Sequence, residues 1–305
     1  MIEDKSKHFQ SKLYGMNNYF KCLKHLIDKK NFPKVLMLTG KRGQGKFTMV
    51  HHLLSYYFDY KNYDTKLLII NNNNFLFKNI KININNDIIY FNCSEQSIKI
   101  DNIRELKNTL QKTSINKFNR FILFDDVEYL SNNCVNALLK SIEEPNKINH
   151  FILINNKSRP IIETLKSRSL ELNIYLNKSK KLKIIENLLK DQNINNVDEN
   201  LKNTALTPGE FLIFNDILNV EDISLEDNII NNVNKLFILS KKKKNMIYIN
   251  FAIHLINIHF MTKARNNFNI DECIDRKSYI IKKLTDADKL NLNYKNMISE
   301  LESYY

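Results

Sequence analysis

The chain has 305 residues, 43% hydrophobic and 26% charged, a balance that excludes a disordered or membrane-embedded protein and gives length for about two domains. Lys and Arg number 46 against 33 Asp and Glu, and a net charge of +13 suits a polyanionic partner such as nucleic acid. Abundant Asn, Ile and Lys beside 5 Gly, 4 Pro and no Trp equally suit a coding sequence drifted toward A and T, so charge alone does not decide for DNA.

The N-terminus, MIEDKSKHFQ, lacks the basic-then-apolar pattern of an export signal, so the expectation is a cytoplasmic protein. The first strand is predicted over Lys34–Leu38 (KVLML), ending at Thr39-Gly40. It runs into Gly40-Lys41-Arg42-Gly43-Gln44-Gly45-Lys46-Phe47-Thr48, which holds three of the five glycines. Strand, glycine-rich loop and helical stretch in that order form a P-loop: backbone N–H groups turn toward a phosphate, the helix N-terminus adds positive character and Lys46 supplies a point charge. Phe47 breaks the pattern, because the Ser or Thr demanded there carries the hydroxyl that ligates Mg²⁺. Thr48 is one place late, rotated by about 100° around the helix. The loop is thus expected to accept nucleotide but not to hydrolyse it efficiently.

His51-His52 follow, read as packing or solvent-facing residues rather than metal ligands. Residues 71–86 are low-complexity and read as a surface insertion. Further strands are predicted at Asp87–Phe91, Arg120–Phe124 and His150–Ile154, with a weaker one at Leu170–Tyr175; continuous apolar runs of this kind fit a parallel sheet covered on both faces. Between them, Ile103, Leu106 and Leu110, and Val135, Leu138, Leu139 and Ile142, have helical spacing, and Pro145 is expected to stop the second helix. Asp125-Asp126 close an apolar strand as a Walker B pair does. Asp125 would support Mg²⁺, and Asp126 stands, one methylene shorter, where a glutamate usually polarises the attacking water. Asn155 and Asn156 end the next strand and suit a polar sensor position; Asn155 is taken as the nucleotide-facing one. Cys22, Cys93, Cys134 and Cys273 are too scattered for a zinc knuckle and read as reduced thiols.

Past residue 175 the pattern turns helical. Leu182–Lys190 reads as a helix and Thr207-Pro208-Gly209 as a turn opening another. Ile247, Ile249, Phe251, Ile253 and Leu255 alternate like a strand within a helical setting, and the pattern leaves both open. The run from 246 to 261 is broken by Asn250, His254, Asn257 and His259, so no membrane span is expected. Lys241–Lys244 reads as a solvated loop in preference to a DNA clamp. The aromatic residues of the last third read as core in preference to base-stacking platforms.

Asp125-Asp126-Val127-Glu128 followed by Asn136-Ala137-Leu138-Leu139-Lys140-Ser141-Ile142-Glu143-Glu144-Pro145 resembles the clamp-loader branch of the AAA+ ATPases. So do Ile100–Leu106 upstream, and Ser158-Arg159-Pro160 and Thr164-Leu165-Lys166-Ser167-Arg168-Ser169 downstream. Within that branch the chain is most similar to the delta-prime family of bacterial DNA polymerase III. The resemblance implies an α/β AAA+ P-loop parallel-sheet module at 1–174, a helical lid at 175–224 and an all-α collar at 225–305. It implies ATP or ADP with Mg²⁺ at Gly40, Gly43, Gly45, Lys46, Phe47, Thr48, Asp125 and Asn155, with Asp125 as metal ligand if Mg²⁺ binds. It implies partners: other AAA+ clamp-loader subunits, the sliding clamp and primed DNA. Arg168 would be the arginine finger offered to a neighbour's ATP, its alternative being a surface pair with Glu163 or Glu171. Three departures from the family pattern stand out. Ser169 replaces a cysteine, a small change expected to leave Arg168 in place. The stretch 53–86 lacks the family's zinc cysteines, so no zinc is expected. Glu210, after Pro208-Gly209, has the wrong charge for the sensor arginine of active relatives. Phe47, Asp126 and Glu210 together predict a stator that does not hydrolyse. An ATP-hydrolysing gamma-type subunit and a basic DNA-binding adaptor are the alternatives.

Overall fold

The computed structural model describes residues 10–77, 87–95, 98–111, 118–143, 147–225, 228–265 and 269–289. The chain divides into two compact units, Met1–Asn195 with Ala205–Leu212, and Asn196–Thr204 with Ile213–Tyr305.

In the first unit, helix α1 (Asn17–Asp28) precedes strand β1 (Val35–Thr39), which leads through the glycine loop into α2 (Lys46–Phe58). A short antiparallel pair, β2 (Tyr63–Asp64) and β3 (Ile69–Ile70), comes next. Then follow β4 (Ile88–Asn92), α3 (Ile100–Gln111), β5 (Arg120–Asp125), α4 (Asn132–Glu143), β6 (Asn149–Asn155), the one-turn α5 (Glu163–Lys166), β7 (Leu170–Asn173) and α6 (Lys178–Asp191). All five predicted strands form, as one parallel sheet in the order β4-β5-β6-β1-β7. This is the α/β architecture expected of an AAA+ module, followed by helices.

Side chains alternate across each strand, so neighbouring residues enter different cores. Leu36, Leu38, Phe121, Leu123, Ile152 and Ile154 pack with α1 and α2, against Phe20, Leu23, Met49, Val50 and Leu53. Val35, Met37, Ile122, Phe124, Phe151 and Leu153 point the other way, onto Ile103, Leu106, Val135, Leu138 and Leu165. Both faces are covered, which is why these strands read as unbroken apolar runs; each such buried side chain contributes about 1.5–3 kcal/mol. The sheet thereby holds the C-terminal ends of β1, β5 and β6 side by side.

The surface-insertion reading is corrected at Asn74 and Leu76, whereas Asn71, Asn72, Asn73 and Phe75 are exposed. Asn74 is buried and its amide donates to the carbonyls of Ser55, Asp59 and Asn62, and Leu76 is fully buried. Residues 78–86, and the helix stop assigned to Pro145, lie outside the described residues.

The second unit holds α7 (Glu199–Lys202), most of α8 (Pro208–Val220), α9 (Ile229–Lys243), α10 (Ile247–Arg265) and α11 (Ile270–Lys289). The 247–255 stretch is helical: Tyr248, Ile249, Phe251, Ala252, Leu255 and Ile256 are all buried, a helix apolar around much of its circumference. Phe251 stacks on Phe214 with centroids 4.5 Å apart, and Phe237, Tyr248 and Phe260 are also core. The Lys241–Lys244 run is not a loop. Its first three residues form the last turn of α9 and Lys244 caps it, where lysines favour the exposed carbonyls. No helix among the described residues is long and apolar enough to cross a membrane.

Candidate functional site

β1 delivers Gly40 to the C-terminal end of the sheet, its amide donating to the Asn155 carbonyl at 3.1 Å. Gly43 and Gly45 adopt left-handed φ of 77° and 87°, which lets the loop curl before α2 begins. At Gly43 a Cβ would lie 2.3 Å from Thr207 Oγ1 and 2.9 Å from the Glu210 amide, so only glycine fits. Those neighbours belong to the start of α8. Thr207 Oγ1 donates to the Arg42 carbonyl at 2.8 Å and the Gly209 amide donates to the Gly43 carbonyl at 2.9 Å. Glu210 accepts from the Thr207 amide at 2.9 Å, while its own amide lies 3.4 Å from the Thr207 hydroxyl. With Pro208 between them this is a capping box, and T-x-x-E in the sequence is its signature.

Lys46 opens α2 and is 2% exposed, its Nζ donating to the Gly40 and Lys41 carbonyls, each at 2.7 Å. Burial pushes its pKa down to about 8, although Asp125 and Glu128 act in the opposite direction. Burial outweighs the nearby carboxylates, so a phosphate beside this ammonium would favour its charged form.

Asp125 ends β5, and burial, reinforced by the charge of Asp126, raises its carboxyl to about 6. Asp126 turns into the left-handed region at φ 58° and accepts three hydrogen bonds: from Arg42 Nη2 at 2.5 Å, Ser94 Oγ at 2.5 Å and Asn156 Nδ2 at 2.6 Å. Glu128 accepts from the amides of Asn156 and Ser158, each at 3.1 Å. Of the two asparagines weighed, Asn156 reaches the acid; Asn155 Oδ1 closes its own turn on the Lys157 amide at 2.9 Å. Phe47 sets its ring edge-on to Tyr90 with centroids 5.6 Å apart, and the Tyr90 hydroxyl donates to Asp125 at 3.4 Å. Thr48 sits one residue further along α2. No group of three or more His, Cys, Asp or Glu among the described residues is arranged to hold a metal.

His51 and His52 face packing. His51 donates to the Leu76 carbonyl at 2.8 Å; His52 donates from Nε2 to the Gln10 carbonyl and accepts from the Tyr63 hydroxyl at Nδ1.

Arg168 follows α5, which is pinned by fully buried Leu165. Its Nε and Nη2 both lie 2.7 Å from Glu143 Oε1, and Nη1 donates to the Thr164 carbonyl at 3.1 Å. The surface pair anticipated with Glu163 or Glu171 is instead with Glu143, at the end of α4. Among the described residues Arg168 shares no hydrogen bond or ion pair with the loop or with Asp125 and Asp126. The sequence reading missed Arg42, Ser94 and Glu143. They are bonded across 84, 32 and 25 positions, and no local spacing announces such pairs.

Residues 15–178, more than half of the chain, match the family described as DNA polymerase III, delta subunit. The chain belongs to that family. A DNA polymerase III subunit delta' of Buchnera aphidicola subsp. Baizongia pistaciae is 34% identical over 102 residues, 33% of this chain and 30% of that one. A DNA polymerase III subunit gamma of Buchnera aphidicola subsp. Schizaphis graminum is 35% identical over 103 residues, 33% of this chain and 28% of that one. The chain thus spans less than a third of the length of either relative. The crystal structure of a gamma subunit-related protein of DNA polymerase III from Thermotoga maritima is similar with a TM-score of 0.48 and 16% identity, covering 94% of this chain and 99% of that one.

Proposed function

We propose that the chain is a delta-prime-like subunit of the DNA polymerase III clamp loader, a stator that does not turn over nucleotide and lends Arg168 to a neighbour's ATP while the sliding clamp is placed on primed DNA. The observation that carries this reading is the contrast between its two halves. Asp126, which would polarise the attacking water, is engaged by Arg42, Ser94 and Asn156, and Phe47 offers no oxygen where a hydroxyl is needed. Arg168 stands at the surface with its planar fork steadied by Glu143 and Thr164 and N–H donors to spare. Family membership and relatives named delta' support the assignment. The lid at 175–224, the collar at 225–305 and a cytoplasmic setting belong to the same proposal.

A guanidinium facing the charge that builds on a γ-phosphate is worth roughly 10³–10⁵ in rate. Arg168→Ala in a reconstituted loader is therefore expected to lower ATP hydrolysis at that neighbour's site by about 10³-fold. Arg168→Lys, which keeps the charge and loses the fork, should recover only a small part. Unchanged hydrolysis in Arg168→Ala overturns the finger. The relative named gamma favours a second reading, a subunit that hydrolyses ATP itself. Brisk turnover by the isolated chain would select it.

A further inference from the structure

P-loop sites ordinarily hold Mg²⁺ together with phosphate, and here the residues suit the phosphate but not the metal. The phosphate half has its parts: two left-handed glycines, the N-terminus of a thirteen-residue helix, and a buried lysine whose ammonium now donates to the Gly40 and Lys41 carbonyls and has one N–H left for a phosphate. The metal half is filled by other groups. Mg²⁺ demands near-octahedral oxygen ligands. The position that should give a hydroxyl carries the Phe47 ring against Tyr90, and the Tyr90 hydroxyl leans on Asp125. The oxygens of Asp126 already accept from Arg42, Ser94 and Asn156.

Arg42 is the unusual member of this set. It sits inside the glycine loop, crosses to Asp126 through one Nη2 contact, and its side chain remains 47% exposed. A guanidinium has five N–H donors in a fixed fork, so most remain for a ligand. It sets a permanent cation against Asp126 from within the loop. We infer that this loop binds a nucleoside diphosphate without any divalent cation, Lys46 and Arg42 together supplying the charge. A diphosphate is preferred to a triphosphate on electrostatic grounds. Asp126 meets the loop at Arg42 and Asp125 precedes it at the end of β5, so a third phosphate would enter a region of carboxylates with no metal to separate like charges. This goes beyond the stator reading and is separable from it: Arg168 is read through a neighbour's hydrolysis, the loop through binding to this chain alone.

The test is calorimetric titration of the full chain with ADP and with ATP, once in EDTA and once in excess Mg²⁺. ADP is expected to bind in both, with an affinity that changes by less than about threefold on adding Mg²⁺, and to bind at least about tenfold more tightly than ATP in EDTA. Arg42→Gln, on an exposed side chain that leaves the core intact, should weaken ADP in EDTA by about tenfold. Phe47→Thr, checked for folding by circular dichroism, should introduce Mg²⁺-dependent tightening. A requirement for Mg²⁺ in the wild-type chain, absence of ADP binding in both buffers, or full affinity in Arg42→Gln would each overturn the inference.

Discussion

At the scale of single residues, the loop's geometry depends most sharply on Gly43. Its φ of 77° is costly for any residue with a Cβ, and that Cβ would stand 2.3 Å from Thr207 Oγ1. Thr207 cannot retreat freely, because its hydroxyl donates to the Arg42 carbonyl and its amide donates to Glu210. Gly43→Ala is therefore expected to lower stability by about 1–3 kcal/mol, read as a lower urea midpoint with an unchanged slope. Gly45, whose nearest non-local atom to an added Cβ is Met16 Cε at 3.6 Å, meets no such wall. Gly45→Ala then bears only the backbone cost, so the two variants separate crowding from φ strain. Glu210 belongs to this same scale. Read by charge alone it looked like a spoiled phosphate contact; read with Thr207 three places earlier it is a helix cap, and that pattern was present in the sequence.

At the scale of elements, α2 carries two histidines whose titration sets an acid limit on stability. Burial pushes His51 down to about 4 and His52 down to about 3, against hydrogen bonds to the Leu76 and Gln10 carbonyls that pull the other way. Both are neutral in the folded chain near pH 5, whereas in the unfolded chain they take up protons below about 6.5. The unfolded state then binds more protons, so stability rises with pH across the window from about 3–4 to 6.5 and is lost as pH falls through it. Each unit of depression corresponds to about 1.4 kcal/mol, so the urea midpoint should drop steeply between pH 6.5 and 4. His51→Gln, which can still donate to the Leu76 carbonyl but cannot titrate, should flatten part of that drop. An unchanged profile would remove His51 from the account. Elements were also the level at which the sequence was most readable. The five strands stood out because a sheet covered on both faces needs apolar residues at every position, as in Phe121–Phe124 and Phe151–Ile154. The 247–255 stretch was ambiguous for the corresponding reason, since a helix buried on many sides carries apolar residues at both strand and helix periods. The two-residue strands β2 and β3 went unseen because no periodicity exists in so short a pair. The contacts of Arg42, Ser94 and Glu143 depend on the sheet bringing distant loops together, and only the fold supplies that.

At the scale of the whole molecule, the net charge of +13 sets the stator reading against a DNA-binding adaptor. An adaptor needs free cations grouped on one surface. The most concentrated basic run, Lys241–Lys244, is partly engaged inside its own unit: Lys243 pairs with Glu221, and Lys241 donates to the Ala287 carbonyl at 3.4 Å. Elsewhere Lys24 pairs with Asp28, Arg104 with Asp101, Lys202 with Glu199 and Arg276 with Glu272, on four different helices. Exposed pairs of this kind are worth only about 0–1 kcal/mol each, so they would not resist a strongly attracting polyanion. They do show basic residues interleaved with acidic ones along several helices. Such a surface should give the isolated chain only non-specific affinity for primed duplex, with a Kd no tighter than about 10⁻⁶ M at physiological salt. Each phosphate neutralised contributes about −0.9 to the slope of log K against log salt, so few simultaneous contacts mean a shallow slope. Fluorescence anisotropy across a salt series, with the chain alone and then in the assembled loader, measures both quantities. The stator reading expects tight and steeply salt-dependent binding only in the assembly. Nanomolar binding with a steep slope from the chain alone would transfer the function to the adaptor.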